Sequence, residues 1–184
     1  MDVTFERTGH RRYATIVALP GRPPRRLDPA PGYDDHIPHD LVHYLAEAEL
    51  GLTRGVFGRA AAGGGGFLET AEVPGDRRAR ARAQRRLKKR ESSLGQADAG
   101  DMATSEELAG LCAIAWWRRH GATTPAGAEH VQIPAEHAAT VDRIVDRLDE
   151  AARLWHGLPV GGGVTYTWPH ADPSVAEPRP SVRG

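Results

Sequence analysis

The run Tyr13-Ala14-Thr15-Ile16-Val17-Ala18-Leu19 is rich in β-branched and aromatic residues, which favour an extended backbone. A shorter run of similar character, Val3-Thr4-Phe5, precedes it, and a turn that contains Gly9 separates the two. Two such runs joined by a glycine-containing turn are typical of a β-hairpin. We therefore predict that an antiparallel pair of strands occupies this part of the chain.

A third strand is predicted much later in the sequence. Apolar and polar residues alternate along Val164-Thr165-Tyr166-Thr167-Trp168, which is the pattern of a strand with one buried face. We expect this C-terminal strand to join the N-terminal hairpin in a small antiparallel sheet. Three to four helices would pack with the sheet, so the predicted fold class is α+β.

Helical periodicity predicts the elements that pack on this sheet. A first helix should span residues 38–51, and another should run over residues 134–156. Between them, Thr104 and Ser105 have the composition of a polar cap, and they would begin a helix over residues 104–121.

The remaining segments have compositions that predict less regular packing. Residues 76–91 are expected to form an exposed basic helix, and residues 92–103, which contain two glycines, are expected to form a linker. No periodicity is present beyond residue 169, so residues 170–184 are predicted to form a disordered tail. One α+β domain would then span residues 1–169.

Composition sets limits on partners and location. The 24 basic and 24 acidic residues balance, which removes any overall electrostatic argument for an anionic partner. Residues 1–7 lack the basic and apolar regions of a signal peptide, and no helical run approaches the roughly 20 apolar residues of a membrane span. The single cysteine, Cys112, is expected to be a buried and inert thiol. We therefore expect a cytoplasmic protein with no membrane partner.

The predicted helix 38–51 carries a cluster of potentially chemical side chains. On a helical wheel of about 100° per residue, His39, Asp40, His43 and Glu47 fall on one flank. The i, i+4 spacing of the histidines is the spacing by which one helix presents two ligands to a single metal ion. Glu47 lies about 12 Å from His39 along the helix axis, which is too far for both to bind one ion.

A metal ion at His39 and His43 would need a third ligand. Asp40 is a candidate on the same helix. The other candidates lie in the preceding loop and in the helix 134–156: Asp34, Asp35, His36, Glu136 and His137. In a catalytic site, Asp40 or Glu47 would serve as ligand or general base. The alternative is that these are surface residues, with Asp40 favourable at the helix N-terminus and Glu47 solvated.

Two resemblances involve this helix. The pattern His39-Asp40-x-x-His43 resembles the start of the zinc-binding segment of ubiquinone-biosynthesis proteins, whose pattern continues to a glutamate where this chain has Gly55. More broadly, residues 38–58 and 158–169 look like segments of a group of small actinobacterial proteins, a resemblance that implies no activity. A zincin-type protease is not indicated, because Asp40 stands where such proteases have a glutamate as general base.

A second candidate surface is strongly basic. Nine residues between positions 77 and 90 are arginine or lysine: Arg77, Arg78, Arg80, Arg82, Arg85, Arg86, Lys88, Lys89 and Arg90. An exposed helix of this composition can neutralise several phosphates and bind nucleic acid in a salt-dependent way. The alternative is a solvated run that pairs with acids of the same chain, such as Asp142, Asp146, Asp149 and Glu150.

Three functions are compatible with these patterns. A non-catalytic cytosolic binding or interaction protein, with a protein among its conceivable partners, is favoured because no complete catalytic constellation can be assembled. The alternative is a divalent-metal-dependent hydrolase, with zinc as one candidate ion, that uses the His39/His43 helix. A second alternative is non-specific nucleic-acid binding through residues 77–90. The sequence leaves open whether the protein is an enzyme.

Overall fold

The structure, a computed structural model, describes residues 1–32, 36–69, 78–79, 81–82, 85–86, 99–121, 128–169 and 180–184. The strands in these ranges are β1 (Asp2–Gly9), β2 (Arg12–Ala18), β3 (Arg25–Leu27), β4 (Leu68–Glu69), β5 (Gly163–Thr167) and β6 (Ser181–Arg183). The helices are α1 (His39–Leu50), α2 (Val56–Ala61), α3 (Ala99–Arg119) and α4 (Ala135–His156), with a short 3-10 helix at Ala128–His130. Residues 78–79, 81–82 and 85–86 are also helical.

The described strands form one antiparallel sheet in the order β4-β3-β2-β1-β5-β6. The predicted hairpin is β1 and β2, and the predicted strand β5 pairs with β1, so the α+β fold is confirmed. Val3 lies opposite both Val17 and Tyr166, which puts the three side chains on one face. The residues of this face are buried: Val3, Phe5, Tyr13, Thr15, Val17, Val164 and Tyr166.

Helices α1 and α4 cover the buried face of the sheet. The Tyr44 ring of α1 packs against Phe5 and Tyr166, with ring centroids 6.1 and 5.4 Å away. The Trp155 ring of α4 meets the Tyr13 ring edge-on at 6.3 Å. Helix α3 packs against both α1 and α4. Within the described ranges, no helix combines the length and the apolar character needed to cross a bilayer.

Helix α1 is enclosed on nearly all sides. Every residue from Asp40 to Glu47 is buried, although the sequence gives this helix a polar flank. The reason is that α3 packs against α1 and removes that flank from solvent. The interpretation of His43 and Glu47 as solvated surface residues is therefore wrong, and of the four polar residues only His39 is exposed.

Helix α3 begins earlier than the sequence predicts. Residues 99–103 of the predicted linker already belong to it. The Asp101 carboxylate accepts a hydrogen bond of 2.9 Å from the Arg54 N–H, which ties this end of α3 to the turn that follows α1. Ser105 was expected at the helix cap, but it lies inside the helix and is fully buried.

The predicted disordered tail contains a strand. Residues Ser181–Arg183 form β6, which pairs with Gly163, Val164 and Thr165 of β5, so the prediction is wrong for these three residues. Backbone pairing holds this edge strand, since the Val182 side chain remains 52% exposed. A strand with no buried side chain leaves no hydrophobic pattern to detect. Residues 170–179 lie outside the described residues.

Candidate functional site

A cavity of about 460 Å³ lies between α1 and α3. Its wall is mainly apolar and includes Ile37, Val42, Ala113, Ile114, Trp116, Trp117 and Leu148. Among the described residues, the titratable side chains in the wall are His39 and His43 of α1 and Glu106 of α3. A cavity of this size, with a few polar groups in an apolar wall, is typical of sites for small molecules.

The two predicted histidines meet on the wall of this cavity. Their Nε2 atoms lie 3.1 Å apart, and their ring centroids are separated by 4.7 Å. Gly32 lies directly against the His39 ring, because a Cβ atom on Gly32 would come within 2.7 Å of a ring carbon. Gly32 also has a φ of 67°, a conformation that favours glycine. The loop before α1 therefore approaches His39 at a position that tolerates no side chain.

A buried chain of hydrogen bonds orients His43. Ser105 Oγ donates a hydrogen bond of 2.8 Å to Glu47 Oε1 and lies 3.0 Å from His43 Nδ1. Because the hydroxyl hydrogen points at Glu47, the Ser105 oxygen accepts from His43, so Nδ1 carries the imidazole hydrogen. The lone pair of neutral His43 is then on Nε2, the atom that faces His39.

The charge state of His43 agrees with this tautomer. Burial lowers the pKa of His43 to about 4, and the neighbouring His39 acts in the same direction. Glu106, whose Oε2 lies 3.8 Å from His43 Nε2, opposes this effect and is too weak to reverse it. The imidazole is therefore neutral at pH 7 and can act as a hydrogen-bond acceptor through Nε2.

Glu47, a predicted general base, is buried and forms hydrogen bonds with α2 and α3. Its carboxylate accepts hydrogen bonds from the N–H groups of Val56 and Phe57 at 2.8 Å and of Gly58 at 3.4 Å, in addition to the Ser105 hydroxyl. Burial raises the pKa of Glu47, and these hydrogen bonds oppose the shift. All four neighbours donate, which fits the ionised carboxylate. Within the described part of the chain, Glu47 therefore connects to the cavity through Ser105 and His43.

Asp40 is directed at the sheet. Its Oδ2 accepts a hydrogen bond of 2.7 Å from the Thr15 hydroxyl, and its N–H donates to the Tyr13 hydroxyl at 3.1 Å. Burial raises the pKa of Asp40, while the hydrogen bond from Thr15 lowers it. This carboxylate links α1 to β2, so its position does not favour the predicted role of metal ligand or base beside His43.

Of the other predicted third ligands, those that the structure describes are not gathered at the histidine pair. Among the described residues, no three His, Cys, Asp or Glu side chains converge, in the rotamers they adopt, in a way that could hold a metal ion. His36 lies in a neighbouring cavity, where its ring centroid is 5.6 Å from that of Trp116 and 5.8 Å from that of His156. Glu136 and His137 lie in the first turn of α4, and Asp34 and Asp35 lie outside the described residues.

Ser105 and Glu106 are site residues that the sequence-based prediction missed. Both were expected in the cap and first turn of a helix, where a serine and a glutamate need no further explanation. One signal could have identified Ser105. It precedes Leu108 by three residues and Cys112 by seven, so it continues the buried stripe of α3. A polar residue in a buried stripe requires a hydrogen-bond partner.

The predicted nucleic-acid surface is only partly described. The described basic residues of this run are helical and exposed: Arg78, Arg82, Arg85 and Arg86. The others lie outside the described residues: Arg77, Arg80, Lys88, Lys89 and Arg90. Asp146 and Asp149, two acids that were expected to pair with the run, bind Arg119 of α3 at 2.6 and 3.0 Å. Nucleic-acid binding through this surface stays a prediction.

Comparison with known proteins found no relative whose function could help to interpret this site. The resemblances drawn from the His39-Asp40-x-x-His43 pattern and from residues 38–58 and 158–169 stay predictions, and function has to be inferred from the cavity and its side chains. The chain matches no protein-family model, no curated protein and no solved structure.

Proposed function

We propose that the protein is a non-catalytic binding protein for a small, mainly apolar molecule that carries a hydroxyl group at one end. The observation that carries this proposal is the His43 ring, which Ser105 and Glu47 orient in the wall of a mainly apolar cavity. Sites for small molecules commonly combine apolar walls with a few precisely placed polar groups. The apolar wall would bind the body of the ligand, and His43 would bind its polar end.

The tautomer of His43 favours a hydroxyl as that polar end. Its Nε2 accepts a hydrogen bond, and a hydroxyl supplies one without carrying charge into an apolar cavity. A carboxylate would bring a second negative charge close to Glu106, which lies 3.8 Å from the same nitrogen. Without ligand, His39 Nε2 is the hydrogen-bonding partner at 3.1 Å, and the hydroxyl of a ligand would replace it.

The groups around the cavity support binding rather than covalent catalysis. No serine, threonine, cysteine or lysine is among the described residues that line it. The Ser105 hydroxyl is engaged by Glu47 behind the cavity wall. The Cys112 thiol is fully buried, and burial raises its pKa to about 12, so it is not a thiolate at neutral pH.

Three molecules with the same apolar tail and different polar ends test this proposal. We expect isothermal titration calorimetry at pH 7, with EDTA present, to show octan-1-ol binding with 1:1 stoichiometry and more tightly than octanoate or octylamine. His43→Leu removes the acceptor and should weaken octan-1-ol binding roughly tenfold, the value of one hydrogen bond. The matched control is His10→Gln, which alters an exposed histidine outside the cavity.

A cavity-filling variant separates binding at this site from binding elsewhere. Ala113 lines the cavity, so Ala113→Trp should abolish octan-1-ol binding while far-ultraviolet circular dichroism shows an unchanged fold. Tighter binding of octanoate or octylamine would overturn the assignment of a hydroxyl. Failure of all three molecules to bind, or undiminished binding to Ala113→Trp, would overturn the cavity as the ligand site.

A further inference from the structure

We propose that His39, His43 and Glu106 bind one divalent transition-metal ion of the zinc class on the wall of the cavity. Two imidazoles and one carboxylate form a ligand set that zinc accepts, and such sites keep a fourth position for water or another small ligand. The inference goes beyond the ligand proposed above and does not rest on it, because it concerns the protein and the metal alone. An ion would take the lone pair of His43 Nε2 that the alcohol uses in metal-free protein, so the two would not bind to this nitrogen together.

The short distance between the two histidines is the first observation that supports a metal site. Both Nε2 atoms face each other at 3.1 Å from positions i and i+4 of α1. Two nitrogens bound to one tetrahedral ion at bond lengths of about 2.0–2.1 Å lie about 3.3 Å apart. An ion between the rings therefore requires a slight separation of the two nitrogens. It also requires the tautomer of His39 with its hydrogen on Nδ1, because His39 Nε2 donates the hydrogen bond to His43 in the absence of an ion. The same distance also fits a hydrogen bond between the rings, and the experiment below distinguishes the two.

The hydrogen bonds that orient His43 are the second observation that supports a metal site. A histidine that binds metal through Nε2 commonly donates its other N–H to a fixed acceptor, which sets the tautomer and the ring orientation. His43 Nδ1 has this partner in Ser105, and Glu47 holds the Ser105 hydroxyl in turn. The nitrogen that would bind the ion is thus already unprotonated and directed at the cavity wall.

Glu106 supplies the third ligand. Its Oε2 lies 3.8 Å from His43 Nε2, and its side chain is 64% exposed, so a change of rotamer can bring the carboxylate onto an ion held by the histidines. The described residues hold no converged set of three ligands before that movement. The negative charge of Glu106 would offset part of the charge of the ion.

The experiment uses the full chain without a histidine tag, freed of metal with EDTA and then freed of EDTA. Zn²⁺ is titrated by calorimetry, and Co²⁺ by visible absorption, which reports tetrahedral coordination. We expect one ion per chain. His39→Gln and Glu106→Gln should each reduce the affinity at least roughly tenfold, because each removes a ligand, and even the loss of a hydrogen-bonding partner behind a ligand costs about 10–100-fold. The matched control is Glu107→Gln, an exposed neighbour on α3, which should leave the affinity unchanged.

His39 and Glu106 are the informative positions because both side chains are exposed, so their variants should fold normally. An affinity for Zn²⁺ that is unchanged in His39→Gln, or absorption of the Co²⁺ protein that lacks tetrahedral bands, would overturn the site. Absence of binding to the unaltered chain would overturn it as well and would assign the pair to a hydrogen bond between the rings. Neither result affects the titrations with octan-1-ol, which are done in EDTA.

Discussion

The buried carboxylate of Glu47 on α1 forms hydrogen bonds with α2 and α3, and it supports His43 through Ser105. The oxygens accept hydrogen bonds from the amides at the start of α2 and from the Ser105 hydroxyl. The partial positive charge of a helix N-terminus favours the ionised carboxylate. Gly55 lies so close that a Cβ atom there would overlap the carboxylate group. At the residue scale, the orientation of His43 therefore depends on a side chain that never touches the cavity.

Glu47→Gln tests this dependence. The amide keeps one acceptor, but its NH₂ group faces N–H or O–H donors, so we expect a loss of about 1–3 kcal/mol in the free energy of unfolding. Urea denaturation gives the value. Glu49→Gln on the same helix is the control, because Glu49 forms partly exposed ion pairs with Arg143 and Arg147 and should contribute less than about 1 kcal/mol. Equal losses in the two variants would show that Glu47 has no special structural role.

The residues of the site differ in how far the sequence could predict them. The meeting of His39 and His43 follows from their i, i+4 spacing, which local helix geometry fixes. The burial of Glu47 could not be predicted, because its partners are amides of α2, a helix of six residues with no marked periodicity. Glu106 was missed because its approach to His43 depends on how α3 crosses α1.

At the scale of elements, α1 is attached to the sheet at its first turn. Asp40 accepts a hydrogen bond from Thr15 of β2, and its N–H donates to the Tyr13 hydroxyl, which in turn donates to the carbonyl of Pro31 at 2.6 Å. Both tyrosine and threonine belong to the buried face of the sheet. The start of α1, and with it His39, is thereby fixed relative to β2.

Thr15→Val is the test of this attachment. Valine keeps the shape and suits a strand, but it leaves the buried Asp40 carboxylate without its hydroxyl donor, so we expect a loss of about 1–3 kcal/mol in the free energy of unfolding. Thr4→Val is the control in the adjacent strand. Thr4 shares a hydrogen bond of 2.8 Å with Thr165 in a partly buried position, and its loss should amount to less than about 1 kcal/mol. A larger loss for Thr4→Val would contradict the account.

The elements found by sequence are those with strong side-chain patterns. Helix α4 and strands β1, β2 and β5 bury regular stripes or alternating faces, which is the signal that a sequence carries. Helix α1 has an apolar stripe in its sequence as well, although nearly all of its sides are buried. Strands β3 and β6 have no fully buried residue and are held by backbone pairing. The early start of α3 depends on a contact with the turn after α1, which is remote in sequence.

At the scale of the whole molecule, the cavity is a product of the tertiary packing. Its wall combines residues of the loop before α1, of α1, of α3 and of α4, from Gly32 to Leu148. No local pattern encodes the space between them, so the sequence could predict the two histidines and not the cavity.

The same packing removes His43 from water and lowers its pKa to about 4. The pKa of His43 in the folded protein is therefore below its value of 6.5 in the unfolded chain. The stability contributed by neutral His43 is present above pH 6.5 and is lost as the pH falls through 4.

The tautomer of His43 in metal-free protein is the most direct test of the account. Nitrogen-15 NMR of the imidazole rings, with EDTA present, distinguishes a protonated from an unprotonated nitrogen, and comparison with His43→Gln assigns the signals. We expect His43 to be neutral from pH 5 to pH 8, with hydrogen on Nδ1 and none on Nε2, and Ser105→Ala to weaken that preference. A neutral ring with hydrogen on Nε2, or an imidazolium at pH 6, would contradict the account.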